Sequence, residues 1–224
     1  MKEVKFYLVF FCCCSLFVTM NNYGYSQNFS FQPKGSFSLD IGIPTKEKNV
    51  AFSSVLEGLF NGGANYQYNI YKGLTVGAGV KYSYFTNNRF ALKQTIGKGG
   101  LHIPAVYLKV GYEKFTTDRF SYNVSVRGGY SSLISVNDSS LIKLGKPFIE
   151  STFFIEPQLE LLLTADKNDP NAYSFVIGYA IYFSEYRPEF LSRELFTGFL
   201  PEYSVGLTRF ISLGFGYRYY FGQN

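Results

Sequence analysis

The sequence predicts an all-β fold, an eight-stranded antiparallel up-and-down β-barrel. Three observations lead to this prediction. Aromatic residues make up 20% of the chain and it has 22 glycines, a composition that suits pleated strands and tight turns better than helices. Large apolar residues alternate with small or polar residues in eight separate segments. The connections between these segments alternate between short and long.

The predicted strands follow one another along the chain, and the last one ends at Phe221. They lie at about residues 35–43, 64–71, 74–85, 103–115, 119–130, 148–163 and 172–183, with the eighth starting between residues 203 and 211. No segment has the period of an amphipathic helix. Pro157 lies within the sixth strand, and because proline cannot donate to a sheet ladder we expect a bulge or a local break there.

The connections indicate how the strands are arranged. Short turns occur at residues 71–73, 116–118 and 164–171, and the last of these contains the turn-forming residues Asp-Lys-Asn-Asp-Pro-Asn. The other four connections are longer, at about residues 44–63, 86–102, 131–147 and 184–202. Short turns at one end and long loops at the other, with an even number of strands, are typical of an outer-membrane barrel.

The first 26 residues have the pattern of a secretory signal peptide. Lys2 and Lys5 precede an apolar run at residues 6–18, and the small residues Gly24 and Ser26 come just before Gln27. The run is shorter than the roughly 20 residues that a membrane-spanning helix needs. We therefore predict a cleaved segment at residues 1–26 and a barrel domain at residues 27–224. All three cysteines lie in the cleaved segment, which excludes a disulfide-stapled secreted module.

Two kinds of eight-stranded barrel fit this pattern: a soluble barrel with its apolar face inward, and a membrane barrel with its apolar face outward. About 38 mostly large apolar residues would overfill an interior that is only wide enough for side chains. The opposite face carries small residues, among them Gly42, Gly77, Gly79, Gly111, Gly129, Gly178, Gly214 and Gly216. We therefore predict a transmembrane barrel whose small residues line the lumen.

Charged residues also occur on the predicted lumen face, four of each sign. They are Asp40, Lys81, Lys109, Glu113, Arg127, Glu156, Glu160 and Arg218. Because an unpaired ion in a narrow interior is costly, we expect them to form a paired polar network. The alternative is a wet lumen with independent, solvated charges.

Several stretches resemble the small outer-membrane β-barrel proteins of Bacteroidota, of the OmpA and OmpX type and the porin family. The signal peptide that ends before Gln27, the stretch YKGLTVGAGVKY at residues 71–82 and the stretch GFGYRYYF at residues 214–221 carry this resemblance. It implies a cell outer membrane location and insertion by the outer-membrane assembly machinery, which reads the aromatic-ended last strand. The residues of that assembly signal would be Leu213, Phe215, Tyr217, Tyr219 and Phe221.

The resemblance also sets expectations for partners. We expect contact with outer-membrane lipids and lipopolysaccharide, and with periplasmic chaperones during biogenesis. The net charge of +5 is mild and not concentrated in a basic run, so we expect no nucleic-acid partner. We also expect a monomer.

The residues give little support to catalysis. His102 is the only histidine of the chain, and no serine lies within five residues of it on either side. The glycine clusters at residues 77–79 and 97–100 lack the context of a phosphate-binding loop. We expect no catalytic, cofactor-binding or metal-binding residues.

These observations predict a structural or surface-interaction role through four long extracellular loops, with the lumen mostly filled. The alternative is a narrow porin-like channel or a transporter of small hydrophobic solutes, with Pro157 providing a lateral opening. An outer-membrane enzyme that modifies lipid is a third possibility. Tyrosines near the strand ends are expected to form girdles at the membrane interfaces.

Overall fold

The structure is a computed structural model that describes residues 33–46, 50–88, 99–138, 141–142, 145–166, 169–187, 190 and 206–223. The predicted signal peptide at residues 1–26 lies outside the described residues.

The described part of the chain forms eight strands that close into one antiparallel barrel. Each strand pairs with the next along the chain, and β8 pairs with β1. The predicted fold class is therefore confirmed. The strands are β1 (Pro33–Lys46), β2 (Leu56–Tyr71), β3 (Leu74–Asn87), β4 (Gly99–Phe115), β5 (Phe120–Asn137), β6 (Phe148–Thr164), β7 (Asn171–Glu185) and β8 (Leu207–Gln223).

Several strands extend further toward the long-loop end than the alternating pattern predicts. β2 starts at Leu56, and its pairing with β3 is irregular between Gly58 and Phe60. This irregularity reverses which residues face inward, so a strict period of two is lost there. Near the end of β5 both faces are apolar, because Leu133 is buried and the adjacent Ile134 lies on the outer face. In a strand with two apolar faces, apolar and polar residues do not alternate, so a period of two does not predict it.

A short helix, α1 (Val50–Val55), precedes β2, in the first long connection, where the sequence predicted no regular element. Six residues are too few to show a helical period. Packing stabilises α1, since Phe52 and Val55 are fully buried and the Phe52 ring lies 5.0 Å from that of Phe85. None of the helices in the described residues is long and apolar enough to cross a membrane.

Pro157 interrupts the sheet without producing a bulge. It pairs with Val126 of β5, but the ladder to β7 has a gap between the pairs Ile155↔Ile181 and Gln158↔Gly178, with the register unchanged across the gap. The expected local break is present and the expected bulge is absent. Proline lacks an N–H group, so it can pair normally on one side only.

The outer face of the barrel is apolar along most strands. Exposed large side chains include Leu39 and Ile41 of β1, Leu108 of β4 and Phe215 of β8. The inner face carries small and charged side chains through the middle of the barrel. Toward the long-loop end, however, the inner face is filled by large apolar side chains, which corrects the expectation of a uniformly small and polar lumen: Phe85, Leu101, Ile103, Leu133, Phe154, Tyr182 and Phe210 are buried there.

Candidate functional site

The structure brings the eight predicted lumen charges together in the barrel interior. Lys81 Nζ lies 2.5 Å from Glu156 Oε2, and Lys109 Nζ lies 2.6 Å from Glu160 Oε1. These lysines come from β3 and β4, and both glutamates come from β6. The two pairs therefore cross the lumen and link strands that are not hydrogen-bonded neighbours.

Two arginines extend these pairs into two groups of four charges, which together make up the lumen network. Arg127 Nη2 is 3.2 Å from Asp40 Oδ1, and Arg127 Nη1 is 3.9 Å from Glu156 Oε1. Arg218 Nη1 donates to Glu113 Oε1 at 2.8 Å, and Arg218 Nη2 donates to Glu160. Every one of the eight side chains thus has an opposite charge within ion-pair distance. Gln67 and the Tyr220 hydroxyl donate further hydrogen bonds to Glu113.

Burial makes this network energetically important. The side chains of Arg127 and Arg218 are almost completely inaccessible to solvent. Replacing one member of a buried ion pair leaves an uncompensated charge, which typically costs about 3–5 kcal/mol. The surrounding glycines supply the space: a Cβ added at Gly178 would lie 2.5 Å from Glu156 Oε1.

Apolar layers lie on both sides of the charges. Along β6, Phe154 precedes Glu156 and Glu160, and Leu162 follows them. Along β8, Phe210 precedes Arg218 and Tyr220 follows it. Leu162, Ala172 and Tyr220 form a small buried cluster at the short-turn end. The charges therefore lie between two apolar clusters, and small polar side chains such as Ser121 and Asn137 are buried beside these clusters.

The apolar layer at the long-loop end is a stack of aromatic rings. The Tyr182 ring stacks on Phe154 at 5.3 Å and on Phe210 at 5.6 Å, and Phe85 contacts Phe210 at 5.1 Å. Phe85 has the same parity as Lys81 and Ser83, so strict alternation along β3 would have placed it inside. The sequence therefore indicated an inward side chain for Phe85, but the large size of phenylalanine favoured the outer face.

Residues from the loops cover this aromatic layer. Phe52 of α1 packs against Tyr186, whose ring stacks on Phe190 at 5.2 Å. Two lumen side chains hold the Phe190 carbonyl oxygen: Ser135 Oγ donates at 2.5 Å and Asn137 Nδ2 at 2.8 Å. Among the described residues, these side chains pack across the lumen at the long-loop end.

His102 lies on the outer face of β4 and takes no part in the lumen network. The Tyr82 hydroxyl and His102 Nδ1 are 2.6 Å apart, and the Tyr84 ring lies 4.8 Å from the imidazole. In the part of the chain that the structure describes, no three His, Cys, Asp or Glu residues form a group that could hold a metal ion.

Tyrosines lie at both ends of the outer face. Tyr66, Tyr217 and Tyr219 are exposed near the short-turn end, whereas Tyr82 and Tyr130 are exposed toward the long-loop end. On β5, Tyr122 lies near the short-turn end and Tyr130 lies toward the long-loop end. With ordinary strand rise and tilt they lie about 20 Å apart along the barrel axis, close to the height of a bilayer-facing band.

The predicted assembly-signal strand forms β8, with Leu213, Phe215, Tyr217 and Tyr219 exposed on the outer face. The Phe221 ring lies over Gly35 of β1, where an added Cβ would be 2.6 Å from Phe221 Cε2. It stacks on Tyr66 of β2 at 5.5 Å. Phe221 therefore bridges the seam between β8 and β1.

Two solved structures share this fold. Neisserial surface protein A matches with a TM-score of 0.52 at 10% identity, over 84% of this chain and 97% of its own. The outer membrane protein OprG from Pseudomonas aeruginosa matches with a TM-score of 0.50 at 10% identity, over 86% of this chain and 100% of its own. No protein-family model matches the chain, and no curated protein matches its sequence. At this identity the likeness establishes the closed eight-stranded barrel fold.

Proposed function

We propose that this chain is an integral outer-membrane β-barrel protein with a closed lumen, and that its role is structural or interactive at the cell surface. The observation that carries the proposal is a lumen occupied by ion pairs and buried aromatic side chains. The outer face supports the membrane location. An apolar outer band between two levels of tyrosine suits a hydrocarbon environment, in which an open sheet edge would leave costly unpaired backbone groups. The barrel closes every strand edge by pairing β8 with β1.

The packed lumen argues for a role outside it. Ion pairs fill the middle of the interior, and aromatic side chains fill the long-loop end. A protein of this kind acts through the surfaces that it exposes, and loops usually carry specificity. We propose that the four loops at the long-loop end are extracellular and contact partners or lipopolysaccharide. We also propose that the protein is a monomer without enzymatic activity.

Conductance tests the closed lumen directly. Purified protein inserted into planar lipid bilayers is expected to give no stable single-channel steps, because ion pairs and packed aromatic side chains occupy the lumen. A general porin in the same bilayer provides the positive control. Reproducible unitary steps that scale with the amount of inserted protein would contradict the closed lumen and favour the porin-like alternative.

A route for small hydrophobic solutes is the second candidate. The gap in the β6–β7 ladder at Pro157 favours it, since unpaired strands separate more easily. Against it, the register is unchanged across the gap and Pro157 still pairs with β5. Vesicles that contain the Pro157→Val variant and vesicles that contain the wild type should take up a small hydrophobic dye equally slowly. Faster uptake by the wild type alone would support a lateral route.

The remaining proposals concern lipid chemistry and biogenesis. Replacing His102 by Ala should leave lipid A unchanged, because His102 lacks a nucleophile partner in the described structure other than a tyrosine. We also propose that periplasmic chaperones bind the unfolded chain. The outer-membrane assembly machinery then recognises the outer residues of β8.

Phe221→Ala should weaken the seam in the folded barrel. The ring's stacking on Tyr66 contributes roughly 0.5–1.5 kcal/mol beyond its area. The thermal midpoint of the folded, fast-migrating band on unheated gels should fall. Tyr66→Ala should lower it by a similar amount, and the double variant by less than the sum of both. Additive effects would show that the two rings do not interact.

A further inference from the structure

Two lysines lie next to each other on the rim of the barrel at the short-turn end. Lys72 is in the turn between β2 and β3, and Lys114 is the last residue but one of β4. The pairing of β3 with β4 continues into this turn, since Glu113 N donates to the Gly73 carbonyl oxygen at 2.8 Å. One residue further, the same register places Lys72 directly opposite Lys114. Lys114 shares its parity with Tyr112 and therefore faces outward.

The Lys72 side chain also lies on the outside. Its Nζ is 5.1 Å from the centre of the Tyr71 ring, and that ring is exposed. Neither lysine forms an ion pair with a residue that the structure describes. Glu113, the sequence neighbour of Lys114, points into the lumen and pairs with Arg218 at 2.8 Å. Because like charges directly opposite each other destabilise a ladder, the two lysines together favour a negatively charged ligand.

The backbone at Lys72 gives an independent reason to look for a function of this side chain. Lys72 has a φ of 42° and Gly73 a φ of 91°, and a two-residue hairpin turn with both angles positive favours Asn-Gly. In the described part of the chain, Lys72 is the only residue other than glycine with a positive φ. A lysine at such a position does not serve the turn, so its presence there indicates a use for the ammonium group.

Aromatic and apolar side chains continue from the lysine pair along the outer wall. Tyr122 of β5 lies opposite Lys114, and Tyr112 precedes Lys114 on the same face of β4. Further along β4, Val110 and Leu108 are exposed on the outer face. A ligand with a negatively charged end at the rim and an apolar body along the wall fits this order. Phosphate oxygens form strong, charge-assisted hydrogen bonds with lysine ammonium groups.

We propose that Lys72 and Lys114 bind the phosphate of an anionic phospholipid, whose acyl chains lie along the outer wall of β3 and β4. This inference rests on the proposed outer-membrane location with the long loops outside. That orientation places the short-turn rim at the periplasmic surface, where the lysines reach the headgroups of the inner leaflet. One phosphate between the two ammonium groups replaces their repulsion by two attractions, and the neighbouring tyrosines lie at the level of the lipid headgroups.

Lys72→Asn separates a binding role from a structural one. Asparagine suits the first position of this turn, so the folded band on unheated gels should keep or raise its thermal midpoint. Binding of phosphatidylglycerol should nevertheless weaken by about fivefold. Lys114→Gln leaves the turn unchanged and should weaken binding by a similar factor. Lys146→Gln is the matched control, because Lys146 is an exposed lysine in the connection between β5 and β6, at the opposite end of the barrel.

Native mass spectrometry in detergent micelles measures the first bound lipid. The protein is titrated in parallel with phosphatidylglycerol, with phosphatidylcholine of the same acyl chains, and with glycerol 3-phosphate. We expect wild type and Lys146→Gln to prefer phosphatidylglycerol over phosphatidylcholine. The double variant of Lys72→Asn and Lys114→Gln should bind both lipids equally.

Three results would overturn the inference: equal binding of both lipids by wild type, an unchanged preference in the double variant, or an equal loss in Lys146→Gln. Glycerol 3-phosphate that binds as tightly as the lipid would also overturn it, since the lysines would then hold a soluble phosphate. Insertion into lipid vesicles is measured in parallel. A wild type that inserts but shows no preference overturns this inference alone, whereas a wild type that fails to insert also overturns the proposed function.

Discussion

Arg218→Met is expected to destabilise the folded barrel by about 3–5 kcal/mol, because it leaves Glu113 and Glu160 with less compensating charge in a buried site. Methionine retains much of the apolar length of the side chain, so the loss is mainly electrostatic. Thermal or urea unfolding in detergent, followed by the shift from the folded to the unfolded band on gels, measures the effect.

Arg187→Met is the matched control. Arg187 makes an ion pair with Glu150 at 2.6 Å, but its side chain is 49% exposed, so removing its charge should cost about 1 kcal/mol or less. Adding Glu113→Gln to Arg218→Met should recover part of the loss, since it removes one of the uncompensated carboxylates. If both arginine variants unfold at the same denaturant concentration, the lumen network does not stabilise the barrel.

Gly42→Val is expected to prevent normal closure of the barrel. Gly42 lies opposite Gly214 at the β1–β8 seam, and a Cβ added at Gly42 would lie 2.3 Å from the Leu213 carbonyl oxygen and 2.7 Å from Gly214 Cα. Both contacts are with backbone, which cannot turn aside as a side chain can. We expect a cost of about 3 kcal/mol or more, at the upper end of over-packing.

Gly128→Val separates this steric effect from the general cost of replacing a strand glycine. A Cβ added at Gly128 meets nothing within 4 Å, so valine there should leave stability unchanged or raise it. The measurement is the yield of folded, fast-migrating protein after refolding into detergent micelles. A Gly42→Val variant that refolds as fully as Gly128→Val would mean that the seam backbones can separate without loss.

The pattern of alternating residues was sufficient to predict the barrel and its charged interior. Lys109, Glu113 and Arg127 share parity with glycines or serines of β4 and β5, so their direction followed from the strand period alone. The pairing of charges could not be read from the sequence in the same way. Which lysine meets which glutamate depends on the register and tilt of strands on opposite sides of the lumen.

The features that were not predicted occur where the period of two fails. The irregularity near Gly58 reverses the inward face of β2, and α1 is too short to have a detectable period. The aromatic layer escaped prediction for a different reason. The volume argument placed large residues outside, whereas the interior accommodates Phe154 and Phe210 because Ala105, Gly129 and Ala180 provide room at the same end.

The pairing of β8 with β1 also defines how this chain could be reconnected. Pro33 lies opposite Gln223 in the ladder, and every other strand pair is a hairpin between sequence neighbours. A short linker between these two residues would therefore turn the seam into one more hairpin. Opening the chain instead at the Lys72–Gly73 turn would move the free ends to β2 and β3. Such a circular permutant would keep all eight pairings and change only the order in which they are synthesised.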